Sequence, residues 1–295
     1  MLGIFYALIT VLAWGTWLAP SQNIQFKNQQ IKTFYVASAN LVLAFVVTLI
    51  VQYGRIIIND FWPPFIGGLV WSVSGFCAFT ATNKIGMAKA FGVWAPINII
   101  VSIIWGAVLF NEFPNTTPLS LLLLFSALAV IITGVLMIIF AKGGGEKVRN
   151  TRTIVIGFLA ALGAGFLWGT YYIPLKMSGV SMWVAAFPLA VGIFTGSGLL
   201  ALLSRQPIKL EKNQQYLRAA TTGLLWGIGN YGMLLLVNQL GAGRGFTISQ
   251  LSVVVNALIG IFLLRDPLPK TRAATFTLIG CVLATAGGIF LGNLK

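Results

Sequence analysis

A chain of 295 residues that is 58% hydrophobic and 8% charged, with mean hydropathy +0.91, cannot cover a soluble surface with polar groups, so a soluble enzyme or binding module is excluded. There is no histidine, and the only acids are Asp60, Glu112, Glu146, Glu211 and Asp266; His-based acid/base or metal chemistry is removed, and no enzyme activity, cofactor or metal is expected. The net charge of +14 does not point to nucleic acid, because nearly all Lys and Arg stand at the ends of apolar runs or between them, facing a lipid bilayer's two surfaces.

Ten runs have the roughly 20 apolar residues that a membrane-spanning helix needs. The first, 2–20, lacks the basic start and small-residue cleavage site of a signal peptide, and is read as a retained span. It ends in WGTWLAP, Trp14 to Pro20. The second is 32–53. The third, 62–82, contains LVWSVSG around Trp71. The fourth, 86–110, opens within NKIGMAKAF (Asn83 to Phe91) and carries Pro96 and Asn98. The fifth is 118–141. The segment AKGGGEKVRNTR, Ala141 to Arg152, reads as a short, glycine-rich, basic linker. The sixth run, 153–174, ends in WGTYYIP, Trp168 to Pro174. The seventh is 180–203. The eighth, 217–239, contains LLWGIGN with Trp226 and Asn230. The ninth, 243–264, follows NQLGAGRGF (Asn238 to Phe246) and carries Ser249, Gln250 and Asn256. The tenth is 270–292. Cys77 and Cys281 lie inside runs, where small apolar packing is their ordinary role.

Three of these motifs recur, at an offset of 154 or 155. Trp14 and Trp168 are 154 residues apart; Trp71 and Trp226, and Asn83 and Asn238, are 155 apart. The reading is an all-α integral membrane protein of ten transmembrane helices, built as a first five-helix repeat (1–141), a cytoplasmic linker (142–152) and a second five-helix repeat (153–295). Five is odd, so the second half enters the bilayer in the opposite sense. Such inverted-topology repeats are common in secondary transporters that work by alternating access. Loops after runs 1, 3, 5, 7 and 9 hold 15 of the 19 Lys and Arg, counting Lys32, Lys84 and Lys89 with the loops. The positive-inside rule then puts those loops in the cytoplasm and both termini outside a plasma membrane that the chain crosses many times.

Substrate sites in such carriers lie near the midplane, at spans interrupted by Gly or Pro in matching places. Runs 4 and 9 fit, through Gly86, Gly92 and Pro96 and through Gly241, Gly243 and Gly245. Polar side chains inside spans need partners. Ser and Thr bond their own helix, whereas the carboxamides Asn98, Gln250, Asn230 and Asn256 offer donors and acceptors suited to a neutral polyol. Gln250 and Asn256 are six apart and do not share a helix face, so one of them serves as interhelical glue. Trp71 and Trp226 can stack on the apolar face of a sugar and donate from the indole nitrogen; packing competes at even odds. Lys89 and Arg244 occupy equivalent places and read either as side chains reaching the interface or as paired gate charges. Glu112 and Asp266, beside prolines, are expected to cap the helices that follow. WGTWLAP and WGTYYIP, ending on opposite faces, read as two symmetry-related gates, with Trp14 and Trp168 as lids.

GLLWGIGNYGMLLLVNQLGAGRGFTISQLSVVVNALIGIFLLRDP (Gly223 to Pro267) resembles the glucose/ribose porter family of the drug/metabolite transporter superfamily. The elements that carry it are W-x-x-G-N from Trp226, the Ser249–Gln250 pair and G-I-x-x-L from Gly260; KAFGVWAPINIIVSIIWGAVLFNEF (Lys89 to Phe113) resembles it too. The chain is similar, more distantly, to the rhamnose–proton symporters. The resemblance implies import of a monosaccharide, proton-coupled, with Ser249 added to the substrate site. Asn98 stands where the family pattern has glutamine, and Gly75 where it has a polar residue. The alternative is a superfamily-type exporter of amino acids or other small metabolites.

Overall fold

The computed structural model describes residues 2–22, 24–51, 58–111, 117–141, 150–240 and 242–293. Among them the chain is helical throughout and carries nine helices long and apolar enough to cross a membrane. They are α1 (Leu2–Thr16, extended by a 3₁₀ turn at Ala19–Ser21), α2 (Gln29–Val51), α3 (Ile58–Ile85), α4 (Met87–Phe110), α5 (Pro118–Ile139), α6 (Thr151–Trp168, followed by the short α7, Ile173–Met177), α8 (Met182–Leu203), α9 (Asn213–Leu240) and α12 (Arg272–Asn293). The remaining span, the ninth run, is broken. It consists of α10 (Ala242–Ser249), α11 (Ser252–Leu258) and a wider-wound turn at Ile259–Leu263.

The helices start where side chains can satisfy their free N–H groups. Thr117 Oγ1 accepts from the Ser120 amide at 3.1 Å, and Asn150 Oδ1 accepts from the Thr153 amide at 2.7 Å. Asp266, expected to cap the next helix, does not: Thr271 Oγ1 accepts from the Ala274 amide to start α12. The Asp266 carboxyl lies instead against Gly86, where a Cβ would stand 2.7 Å from Oδ2. Gly86 also has φ +85°, so it is a glycine on two counts. Glu112 lies outside the described residues.

The outward faces are apolar: Leu2, Phe5, Leu8 and Leu12 of α1, and Leu119, Leu122 and Phe125 of α5, are all exposed. Lipid is as apolar as leucine, so the helices are held by close packing of small residues rather than by water exclusion. A Cβ on Gly68 of α3 would lie 2.2 Å from the Leu189 carbonyl of α8, and one on Gly223 of α9 would lie 2.2 Å from the Val36 carbonyl of α2. α5 and α12 meet at Gly134 and Gly280, each 2.6 Å, by the same measure, from the other's carbonyl oxygen. α1 packs on α9 and α11, while α6 packs on α3 and α4.

Two expectations about interrupted spans are corrected. Pro96 is buried in the middle of α4, which continues unbroken from Met87 to Phe110. A proline removes one ladder bond, and in a protein interior neighbouring helices hold the helix together regardless. The break in the ninth run falls at Gln250–Leu251, beyond the Gly241–Gly245 stretch. There the Ser249 hydroxyl turns back to the Phe246 carbonyl and the Val253 amide reaches the Gln250 carbonyl at 2.9 Å, closing a turn instead of the helical ladder.

Candidate functional site: an aromatic cavity at the broken helix

The helices leave between them a narrow, partly open space of about 30 Å³, room for roughly one or two water molecules as it stands. Its walls are six indoles, those of Trp14, Trp17, Trp71, Trp94, Trp168 and Trp226, together with Phe91, Phe246 and Tyr171. Its polar groups are Asn98 of α4 and Gln250 at the break between α10 and α11. No lining residue carries a charge.

The rings interlock. Trp71 meets Trp226 at 4.5 Å between centroids and Trp168 at 6.2 Å; Trp168 also contacts Trp94 at 5.2 Å and Trp17 at 5.9 Å. Trp17 of the first WGT motif and Trp168 of the second touch, so the two motifs meet at the cavity. Trp14 donates from Nε1 to the Trp226 carbonyl at 3.2 Å. The indole nitrogens of Trp71 and Trp168 are buried and have no acceptor. Buried donors of this kind are costly to leave unmade, and these two belong to residues that line an empty space. The carboxamides are weakly engaged: Ser102 Oγ donates to Asn98 Oδ1 at 3.5 Å, and Gln250 Nε2 donates to Ser249 Oγ at 3.4 Å.

The other sequence candidates lie behind this wall or away from it. Asn230 accepts the Tyr171 hydroxyl at 2.9 Å on its Oδ1, so it positions a ring that lines the cavity. Asn256 donates to the Gly15 carbonyl at 3.3 Å and is the interhelical member of the Gln250–Asn256 pair. Ser249 is fully buried behind Gln250. Trp105 is tied to Thr170 Oγ1 at 3.0 Å. Lys89 neither lines the cavity nor reaches out to water: it is 8% exposed, and its ammonium donates to the Ala141 carbonyl, past the end of α5, at 2.9 Å. The side chain of Arg244 lies outside the described residues.

Sequence reasoning overlooked Trp17, Tyr171, Phe91 and Phe246 as lining residues. The signal was present in the repeat itself. Trp14/Trp168, Trp17/Tyr171, Trp71/Trp226 and Phe91/Phe246 are aromatic in both copies and line the cavity, whereas Phe61/Tyr216 and Phe76/Tyr231 are aromatic in both copies and do not.

Aromatic contacts continue beyond the lining on two sides. The Tyr172 ring stacks on Phe246 at 5.1 Å, with 20° between planes. On the other side Trp17 packs on Phe79 at 5.6 Å, and the Lys32 ammonium sits 4.4 Å above the Phe79 ring and 5.1 Å from that of Phe26. Lys32, counted with the loops from sequence, is a buried residue of α2. Beyond it Phe26 lines a second space of about 440 Å³ between the loops after α1 and α8, where Lys27 pairs with Glu211 at 2.5 Å. That carboxylate raises the Lys27 ammonium above its ordinary range, through a hydrogen bond and then charge.

The profile of the sugar transport protein family matches residues 5–294. A putative sugar uptake protein of Enterococcus faecalis is 27% identical over 301 residues, covering 100% of both chains. The glucose uptake protein GlcU of Bacillus subtilis is 26% identical over 230 residues, covering 78% of this chain and 77% of its own. One solved crystal structure superposes with a TM-score of 0.63 at 18% identity over 98% of this chain and 96% of that one, and so shares the fold. With its long apolar helices and a match over almost its whole length, this multi-pass membrane protein belongs to the sugar transport protein family.

Proposed function

We propose that the chain imports a neutral monosaccharide of the glucose or ribose type across the plasma membrane by alternating access to the aromatic cavity. The observation that carries this reading is the lining: indoles for stacking, two unpartnered indole donors, two carboxamides and no charge. A polyol has apolar ring faces and many hydroxyls, and it matches such a surface without any counter-ion. Export of amino acids or of cationic metabolites would leave a charge buried against neutral walls, at a large cost. The names of the relatives, sugar and glucose uptake proteins, agree.

Asn98, Gln250, Trp71 and Trp226 contact the sugar in this reading. Ser249 and Asn230 orient Gln250 and Tyr171, and Asn256 ties α11 to α1. The two five-helix halves, 1–141 and 153–295, are taken as inverted repeats. Supporting this, Gly15 abuts Val255 and Gly169 abuts Val101, so two contacts correspond at the same offset of 154. The packing of α1 on α9 and α11 mirrors that of α6 on α3 and α4. With the basic loops in the cytoplasm and both termini outside, Tyr172 and Phe246 close the outer end, and Trp17, Phe79 and Lys32 close the inner one. Among the described residues no carboxylate lines the cavity, so a coupled proton would need a carrier elsewhere.

The test is uptake of radiolabelled glucose and ribose by vesicles holding purified protein, with and without an imposed pH gradient. Accumulation or faster equilibration than in empty vesicles is expected; its absence for every neutral monosaccharide tried would sink the reading.

A further inference from the structure

The room inside the cavity depends on how far its indoles are drawn back against the helices. Side chains of a helix lean toward its N-terminus. The six-membered edge of the Trp71 indole nevertheless lies over Gly75, one turn nearer the C-terminus. A Cβ at Gly75 would stand 2.8 Å from Cζ3 and 3.0 Å from Cη2 of that ring, where carbon atoms ordinarily keep about 3.5–4.0 Å apart. The matching stretch of α9 has Asn230 in place of Gly75, so only Trp71 has a glycine four residues on along its own helix.

The ring has little freedom elsewhere. Its centroid is 4.5 Å from that of Trp226, at the short end of aromatic pairing, about 4.5–7 Å. Trp168 stands at 6.2 Å. A side chain at position 75 cannot move the indole toward Trp226, so the ring must tip by about 1 Å into the space.

We propose that Gly75 determines the size of sugar the cavity accepts. By leaving the Trp71 indole flat along α3, it widens the space on that side, so that a larger residue there would disfavour a neutral hexose more than a pentose. This rests on the sugar-import reading above, and its test separates the two.

Wild type, Gly75→Ala and Gly75→Ala/Trp71→Phe are reconstituted, and kcat/KM is measured for D-glucose and D-ribose. Gly75→Ala is expected to lower the glucose-to-ribose ratio by roughly 10- to 200-fold, the usual effect of one methylene in an apolar pocket. The smaller Phe ring in the double variant is expected to bring the ratio back toward wild type. An unchanged ratio in Gly75→Ala, or no recovery in the double variant, overturns the proposal. A second readout needs no sugar: the far-ultraviolet circular dichroism couplet that the Trp71–Trp226 pair contributes. If wild type carries neither sugar, the import reading fails and the sugar-size proposal falls with it, while the couplet still tells whether Gly75→Ala displaces the ring. Its alteration by Gly75→Ala sustains the displaced ring; an unaltered couplet refutes it. If Gly75→Ala does not fold, Trp71→Phe alone is used. Its added room is expected to shift preference toward the bulkier neutral sugar N-acetylglucosamine, and no shift overturns the proposal.

Discussion

Trp14 and Trp168 form a natural experiment on the indole nitrogen. They stand at equivalent places in the two WGT motifs, and they are 7% and 6% exposed. They differ in one respect: Trp14 Nε1 donates to the Trp226 carbonyl at 3.2 Å, while Trp168 Nε1 is buried with no acceptor. Replacing each with phenylalanine removes the same ring area, so the difference between the variants isolates the N–H group. Trp14→Phe loses a hydrogen bond, which for side chains within membranes averages about 0.6 kcal/mol. Trp168→Phe removes a donor whose burial costs about 1–3 kcal/mol in the empty protein. Trp14→Phe should therefore be less stable than Trp168→Phe by roughly 1–3 kcal/mol in reversible unfolding from mixed micelles. Sugar affinity should move the other way. A bound hydroxyl completes the Trp168 donor, so Trp168→Phe should bind about fivefold more weakly, or about 1 kcal/mol, by titration calorimetry. Equal stability losses in the two variants, or wild-type affinity in Trp168→Phe, would refute the reasoning.

Other substitutions separate wall from support. Asn98→Ala and Gln250→Ala should each weaken sugar binding by about 1–3 kcal/mol, whereas Asn256→Ala should lower stability and leave affinity unchanged, because its bond is to the Gly15 carbonyl; a binding assay beside a melting curve checks all three. Tyr171→Phe and Asn230→Ala remove the two ends of one 2.9 Å bond, so a double-mutant cycle should show a coupling of roughly 0.5–1.5 kcal/mol, and additive losses would count against the bond. Gly68→Ala and Gly223→Ala put a methyl 2.2 Å from the carbonyls of Leu189 and Val36; each should cost about 1–3 kcal/mol or more in unfolding measurements.

Much of the fold was legible in advance because a bilayer allows so few solutions. A span must be helical and about 20 residues long, so apolar runs located α1 to α9 and α12 to within a few residues. The ninth run shows the limit. Its composition marks a span, but the break falls at Gln250 rather than Gly243, where the Ser249 hydroxyl donates to the Phe246 carbonyl and the Val253 amide to the Gln250 carbonyl, local bonds that hydropathy does not reveal. Lys32 and Lys89 failed for a related reason. A charge near a span's end reads as interfacial, and only the positions of Phe26, Phe79 and Ala141 make a buried place for it.

For the site, residue type and position in the repeat identified Asn98, Gln250, Trp14, Trp71, Trp168 and Trp226, which all line one cavity. They could not separate these from Asn230 and Asn256, which are the same residue types inside the same kind of span. That separation is tertiary: Asn230 accepts from the Tyr171 hydroxyl and Asn256 donates to the Gly15 carbonyl, while no acceptor reaches the buried indole nitrogens of Trp71 and Trp168. That the chain is a bundle of membrane helices, and which polar and aromatic groups lie within its spans, follows from hydropathy and helix length, which are local properties. Which of those groups line the cavity depends on what distant helices bring against each side chain, and that is visible only in the folded chain.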